Sequence, residues 1–169
     1  MHMKQILVSL LCLFLPLVSL AESVDNFTIK DGNVILTEVV KAEGKSQNAI
    51  YKDALLWVNE VFNNPKTVVQ TKEADLGLIT LKTVVIISND YYGKPSQWYN
   101  INLSIQAKDG RYKYEISDIV YNFDLSDIGE FIKKPLDGNN EGAMKEAREV
   151  FTPVINTLKN RLSKAEEEW

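Results

Sequence analysis

The sequence is very poor in histidine and cysteine: of its 169 residues, only His2 is a histidine and only Cys12 is a cysteine. Both lie in the first 21 residues, which have the features of a cleavable signal peptide. Cleavage would leave a mature chain without imidazole or thiol groups. Cysteine nucleophiles, serine–histidine triads, histidine-ligated zinc and disulfide bonds are then excluded from the mature chain.

The signal-peptide interpretation rests on three features that follow one another. Lys4 supplies a positive charge, an apolar run extends over residues 6–15, and the small residues Ser19 and Ala21 stand at positions −3 and −1 of the cleavage site. A membrane anchor would need about 20 apolar residues, more than this run provides. A lipoprotein signal would need a small residue before the acylated cysteine, and a leucine stands there instead.

The mature chain also has fewer basic than acidic residues. Cleavage removes one lysine and leaves 18 basic against 23 acidic residues, a net charge of −5. Such a chain is a poor partner for nucleic acids and anionic membranes. Export without mature cysteines indicates a bacterial envelope protein, in the periplasm or at the cell surface. We expect no cofactor and no transmembrane span in the mature chain.

The apolar pattern divides the mature chain into an arm, one domain and a tail. Residues 22–33 have little periodicity and are predicted to form an N-terminal arm, residues 34–164 a single domain, and residues 165–169 a C-terminal tail. Ser46 is the expected N-cap of a helix over residues 46–62. A second helical stripe runs from Met144 to Leu162, and within it Pro153 predicts a kink or the start of a separate helix.

Five segments of the domain have the alternation or composition of strands: residues 34–40, 67–71, 77–88, 99–107 and 111–123. In the last of them the apolar residues change phase, which predicts a β-bulge near Ser117 and Asp118. The connection from residue 124 to 142 is predicted to be a loop with one helical turn at residues 127–132. The order β-α-β-β-β-β-α indicates an α+β domain, with an antiparallel sheet of about five strands packed on helices on one face.

Parts of this domain resemble a known family. The resemblance extends roughly from Val34 to Phe123, and the chain departs from it at Thr80–Lys82, where a second glycine and a basic residue are expected. The segments that carry it are the helix with Tyr51 and Trp57, then Val68–Gln70, Gly77–Ile79 and above all Lys108–Ile116. They resemble the exported domain of unknown function 4468 family, common in Bacteroidetes. The resemblance implies a TBP-like fold and an envelope location, and it implies no catalytic residues.

The candidate ligand-binding residues are four aromatic side chains between Asn89 and Tyr99. Tyr91, Tyr92, Trp98 and Tyr99 cluster around a glycine and a proline. Exposed aromatic residues on a loop are typical of sugar-stacking sites and of protein interaction hot spots. The alternative is that Trp98 and Tyr99 begin the next strand and are buried there.

Two other groups of polar residues invite a functional interpretation. Glu115 and Asp118, joined by Asp124 or Asp127, would suit a small hydrolase acting on a glycan if two of them were correctly spaced, but solvated surface charges are the simpler interpretation. The oxygen-rich residues 137–141 do not match the spacing of a calcium-binding loop and are predicted to be solvated. We therefore expect no catalytic residue and no metal site.

Val84 and Ile86 are apolar, although they share a strand face with Thr80 and Lys82, which are predicted to face solvent. They would mark a docking patch, or they would be covered by the N-terminal arm or the C-terminal helix, which is the interpretation we favour. The chain is predicted to be a non-enzymatic binding module for an envelope protein, a peptide or a glycan, and the glycan hydrolase is the alternative.

Overall fold

The computed structural model describes residues 26–125 and 129–163. The predicted signal peptide at residues 1–21 and the predicted tail at residues 165–169 lie outside these ranges. The secondary structure elements, in chain order, are β1 (Phe27–Lys30), β2 (Asn33–Lys41), α1 (Gln47–Val61), α2 (Pro65–Val68), β3 (Val69–Glu73), β4 (Leu78–Asn89), β5 (Pro95–Lys108), β6 (Arg111–Leu125), β7 (Glu130–Pro135) and α3 (Glu141–Ser163).

The described strands form one antiparallel sheet in the order β1-β2-β6-β5-β4-β3, with β7 beside β6. Along one edge of β6, strand β2 pairs with residues 111–116 and β7 pairs with residues 120–125. On the other side of the sheet, β3 pairs with β4 only over Leu78–Leu81. Among the described strands, β2 and β3 therefore flank the central strands β4–β6 at one end of the sheet, and β7 alone flanks them at the other end.

The helices begin where the sequence supplies a cap. The Ser46 side chain accepts a hydrogen bond from the backbone N–H of Ala49 (3.2 Å) at the start of α1. The Asn140 side chain accepts one from the backbone N–H of Ala143 (3.0 Å) at the start of α3. Helix α3 continues through Pro153, so the separate helix allowed by the sequence is not formed.

The core lies between one face of the sheet and the two long helices. Its largest fully buried side chains are those of Trp57, Tyr99, Tyr112, Tyr114 and Phe151. This inner face of the sheet holds the apolar half of each alternating strand, and none of the helices in residues 26–125 and 129–163 packs on the outer face. The class predicted from the sequence, an α+β domain with helices on one face, is thus confirmed.

The predicted β-bulge lies at Asp118, which has a positive φ of 50°. The pairing of β5 with β6 shifts there, between Asn100 and Asn102. The Asn102 side chain donates a hydrogen bond to Asp118 Oδ2 (2.5 Å), which holds the bulged residue on the outer face. The bulge returns Ile119 and Tyr121 to the inner face and confirms the reason for predicting it.

Gly77, in the turn between β3 and β4, is required by the packing of the chain. Its φ is +63°, and a Cβ atom there would lie 2.6 Å from the backbone oxygen of Ala107. The backbone N–H of Ala107 in turn donates to the Gly77 oxygen (2.8 Å), so the turn at Gly77 and the end of β5 cannot move apart without losing this hydrogen bond.

Three expectations about the fold were wrong. The sheet has seven strands rather than about five, because β1 and β7 were not predicted. Residues 27–30 of the predicted arm pair with β2, so this part of the arm belongs to the sheet. The helical turn expected at residues 127–132 is replaced from residue 130 onward by β7, which pairs with β6. Both missed strands are mostly exposed, so their sequences lack the alternation of a half-buried strand.

Candidate functional site

The turn between β4 and β5 presents two tyrosines to solvent. Tyr91 is 96% exposed and Tyr92 is 82% exposed, and their rings meet edge to face with centroids 5.4 Å apart. Asp90 organises the turn: its Oδ1 accepts hydrogen bonds from the backbone N–H groups of Tyr92 (2.9 Å) and Lys94 (2.8 Å). Gly93 supplies the positive φ of 79° that the turn needs. The tyrosines are therefore held on an ordered turn.

Trp98 lies a few residues further along, on the outer face of β5. It is half-buried and packs against Phe131 of β7, with ring centroids 6.0 Å apart. Opposite it on β4 is Ile86, and Val84 lies two residues before. We call Val84, Ile86, Trp98 and Phe131 the outer patch, because all four belong to the same end of the outer face.

The expectation that Val84 and Ile86 are covered was wrong. Each is 50% exposed. The two long helices pack on the inner face, whereas these side chains point to the outer face, and β1 joins the sheet at its far edge beyond β2. Nothing in the described part of the chain packs over them.

The same segment of β4 has an open edge. Strand β3 pairs only with residues 78–81, so residues 82–88 have β5 on one side and no strand on the other within the described chain. The open-edge sequence contains one charged residue, Lys82, and no proline. Natural sheets usually blunt such edges with charges, prolines or bulges. Here β4 has Lys82 at one end of the segment and register shifts against β5 from Ile86 to Asn89 at the other, and residues 83–86 between them carry no charge and no proline.

Tyr99, the fourth predicted site residue, lies apart from the other three. It points to the inner face and is almost fully buried, with its ring against Phe151 (5.3 Å between centroids) and Tyr121 (5.6 Å). Burial raises the pKa of its hydroxyl, and the negative charge of Glu146 adds to the effect. The structure thus brings Tyr91, Tyr92 and Trp98 to one end of the hairpin and places Tyr99 in the core.

With this geometry described, the chain can be compared with known proteins. The profile of a family described as a domain of unknown function (DUF4468) with TBP-like fold matches residues 36–122, just over half of the chain. The chain belongs to this family. No curated protein matches the DUF4468 chain.

Two solved structures share the DUF4468 fold. A TBP-like protein from Parabacteroides distasonis ATCC 8503 superposes with a TM-score of 0.63 and 18% identity, over 82% of this chain and 98% of the other. A DUF4468 family protein from Bacteroides ovatus ATCC 8483 gives a TM-score of 0.57 and 14% identity, over 86% and 95% of the two chains. At these identities the likeness shows the fold alone.

Glu115 and Asp124, two of the carboxylates considered for a hydrolase, lie far apart in this DUF4468 domain. Glu115 binds Lys113 (2.7 Å), Asp118 binds Asn102, and Asp124 is paired with Phe131 across β6 and β7. Glu115 and Asp124 are nine residues apart on one strand, which separates them by on the order of 25–30 Å. Glycoside hydrolases need two carboxyl groups within about 10 Å. Asp127 lies outside the described residues.

The oxygen-rich loop before α3 is used for local hydrogen bonds. Asp137 Oδ1 accepts from the backbone N–H of Asn139 (2.9 Å), and Asn140 caps the helix. Across residues 26–125 and 129–163, no group of three or more aspartate, glutamate, histidine or cysteine side chains has the arrangement of a metal site. None of the described DUF4468 helices is long and apolar enough to span a membrane.

Sequence reasoning missed Phe131 and a cavity next to Tyr99. Phe131 lies in a segment that had been interpreted as a helical turn. The cavity is lined by Tyr121, Lys134 and Glu146 as well as Tyr99, which come from three strands and a helix. No local pattern in the sequence joins these residues, so only the DUF4468 fold itself reveals them.

Proposed function

We propose that this chain is an exported, non-enzymatic binding module whose β4–β5 hairpin docks a protein partner. The observation that carries the proposal is the pair Tyr91 and Tyr92, almost fully exposed on a turn that Asp90 keeps ordered. Two aromatic side chains left in water on an ordered turn are typical of interaction anchors. Export is supported by the signal-peptide features of residues 1–21.

A macromolecular partner suits these tyrosines better than a small ligand. Small-molecule sites are concave and surround most of their ligand. A side chain that is 96% exposed, as Tyr91 is, has no protein wall beside it that would enclose a ligand. A partner protein can supply that wall itself, and tyrosine is enriched at the centres of such interfaces.

The open edge indicates how the partner docks. No described strand pairs with the outer hydrogen-bonding side of β4 over residues 82–88, and an extended segment can pair with it as an added strand. Such a segment would lie beside Val84 and Ile86, and its own apolar side chains would cover them. We therefore expect the partner to contribute an extended segment with alternating apolar residues, flanked by contacts to the two tyrosines.

A photo-crosslinking experiment tests this proposal. Benzoylphenylalanine replaces Tyr91 in the full chain, which is expressed in the organism that produces it and irradiated. The matched control carries the same group at Leu76, which is 55% exposed in the turn at the other end of β4. We expect a discrete protein adduct at position 91, no adduct at position 76, and loss of the adduct when Ile86→Lys is added.

Three results would overturn the proposal. The first is equal labelling at both positions, which indicates non-specific collision. The second is an adduct that survives Ile86→Lys, and the third is labelling of polysaccharide alone. An adduct with a second copy of this chain supports protein docking and identifies the chain as its own partner.

A further inference from the structure

A cavity of about 370 Å³ lies on the opposite face of the sheet from the outer patch. One wall is the inner face of β6 and β7, with Tyr121 and Lys134, and the other is the first two turns of α3, with Gly142 and Glu146. Its volume falls in the range of about 300–1,000 Å³ that is usual for small-molecule sites. The cavity is separate from the hairpin to which we assign protein docking.

Glu146 places an unsatisfied acceptor in this cavity. Its Oε1 atom is buried and has no hydrogen-bond partner. Burial and the charge of Glu146 raise the pKa of the Tyr99 and Tyr121 hydroxyls, and a hydrogen bond to Glu146 adds to the effect on Tyr99. The carboxylate therefore lies close to both phenols, and Oε1 is its oxygen without a donor. A buried carboxylate oxygen without a donor is costly, and a bound molecule with an N–H or O–H group would satisfy it.

Lys134 is an exposed residue that places a positive charge beside the same cavity. Its Nζ atom lies 5.6 Å from the centre of the Tyr121 ring, a cation–π contact. Within the described residues no carboxylate oxygen lies within 4 Å of this Nζ, Glu146 included. Two opposite charges therefore face one cavity from different walls without neutralising each other, and the rings of Tyr99 and Tyr121 lie near them.

We propose that this cavity binds a small zwitterion with a free ammonium group and a free carboxylate, either an amino acid or a short peptide. The ammonium group donates to Glu146 Oε1, and the carboxylate pairs with Lys134. The apolar part of the molecule lies against Leu136 and the Tyr121 ring. The ammonium group of the ligand thus meets the one Glu146 oxygen that lacks a donor, and its carboxylate meets a lysine that has no ion-pair partner among the described residues.

Isothermal titration calorimetry of the mature chain, residues 22–169, tests the ligand class. The probes are L-alanine, L-alanyl-L-alanine, its N-acetyl derivative, its C-terminal amide, and methyl glucoside. We expect alanine or the dipeptide to bind, and each blocked dipeptide to bind at least tenfold more weakly than the free one. Binding of alanine but not of the dipeptide would indicate an amino acid site. Binding of the dipeptide but not of alanine would indicate a peptide site.

Single substitutions test the role of each charge. Glu146→Gln is expected to weaken the free dipeptide at least tenfold and to abolish its preference over the N-acetyl form. Lys134→Met is expected to weaken binding of the free dipeptide at least tenfold and to abolish the preference for the free dipeptide over the C-terminal amide. The control is Glu149→Gln, which changes an exposed glutamate on the same helix.

Gly142→Leu adds a large side chain at a residue that lines the cavity, where the backbone tolerates a Cβ atom. A Cβ atom at this helical position would meet only Asn140 Oδ1, at 3.4 Å. We expect an unchanged circular dichroism spectrum and at least tenfold weaker dipeptide binding. The proposal is overturned if no zwitterion binds at millimolar concentration, if blocked and free dipeptides bind equally, if Gly142→Leu binds normally, or if methyl glucoside binds in their place.

Discussion

Two buried tyrosines on β6 offer a matched test of how polar groups act in this core. Tyr114 donates a hydrogen bond from its hydroxyl to Glu38 Oε2 (2.7 Å), and Lys159 Nζ binds the same oxygen (2.7 Å). Tyr112 is two residues away on the same face, and its buried hydroxyl has no partner. A tyrosine-to-phenylalanine change removes only a hydroxyl at either position, so the two variants differ only in the bond lost.

The expected magnitudes follow from these contacts. A hydrogen bond to a charged group contributes about 1.5–3 kcal/mol. Because Glu38 keeps Lys159 and some solvent, we expect Tyr114→Phe to lower the free energy of unfolding by about 1.5–2 kcal/mol. Tyr112→Phe removes an unsatisfied buried group and should change stability by between zero and about 1 kcal/mol in the favourable direction.

Urea unfolding at pH 7, followed by tryptophan fluorescence, to which the buried Trp57 contributes, measures both effects. The reasoning is refuted if the two variants lose equal stability, or if Tyr112→Phe costs more than about 1 kcal/mol.

The pH dependence of Tyr114→Phe gives a second check. Burial by itself would raise the pKa of Glu38, but hydrogen bonds from Lys159 and Tyr114 and the charge of Lys159 outweigh it and hold the pKa below its usual value. A carboxyl group with a lowered pKa stabilises the fold above the pKa it has in the unfolded chain, and this stability is lost as the pH falls through its folded value. The difference between wild type and Tyr114→Phe should therefore shrink below about pH 4.

Three further changes test other features of the fold. Gly77→Ala should lower the free energy of unfolding by more than about 2 kcal/mol in the same urea assay, because it adds a clash with a backbone oxygen to an unfavourable φ. The control Gly93→Ala has the unfavourable φ but open space around its Cβ, so it should cost about 1 kcal/mol. Lys45→Met should cost about 2 kcal/mol, since it leaves the part-buried Asp53 without its 2.7 Å partner, and adding Asp53→Leu should restore part of this loss; additive effects would contradict the pairing. Ile86→Lys should leave the thermal midpoint within about 2 °C of wild type and reduce light scattering at high concentration, and a large loss of stability would show that this side chain is covered.

The parts of the fold that could be predicted from sequence are those with one buried face. The alternation in β5, the capped helix α1 and the change of phase at Asp118 each follow from a period of burial. Strand β7 could not be found this way, because all six of its residues are exposed and it is held by pairing with β6. The pairing of β7 with β6 depends on how the chain folds back after residue 125, and no local sequence pattern predicts it.

In the candidate sites too, the features that follow from local sequence were predictable, and those that depend on distant segments were not. The exposure of Tyr91 and Tyr92 follows from a turn with glycine and proline, and the burial of Tyr99 follows from the alternation of β5. The pairing of Trp98 with Phe131 depends on β7 and was not predictable. The same holds for the cavity, where Lys134 and Glu146 come from a strand and a helix that only the folded chain brings together.

The division of one edge of β6 between β2 and β7 has a consequence for how the domain opens. The half beside β2 pairs with a nine-residue strand that has buried residues, whereas the half beside β7 pairs with a six-residue strand whose residues are all exposed. Amide hydrogens of residues 120–125 should therefore exchange through local opening, well before those of residues 111–116, which await global unfolding. The hairpin that we assign to docking lies at this weaker end, so a bound partner would slow exchange there while leaving the rest of the sheet unchanged.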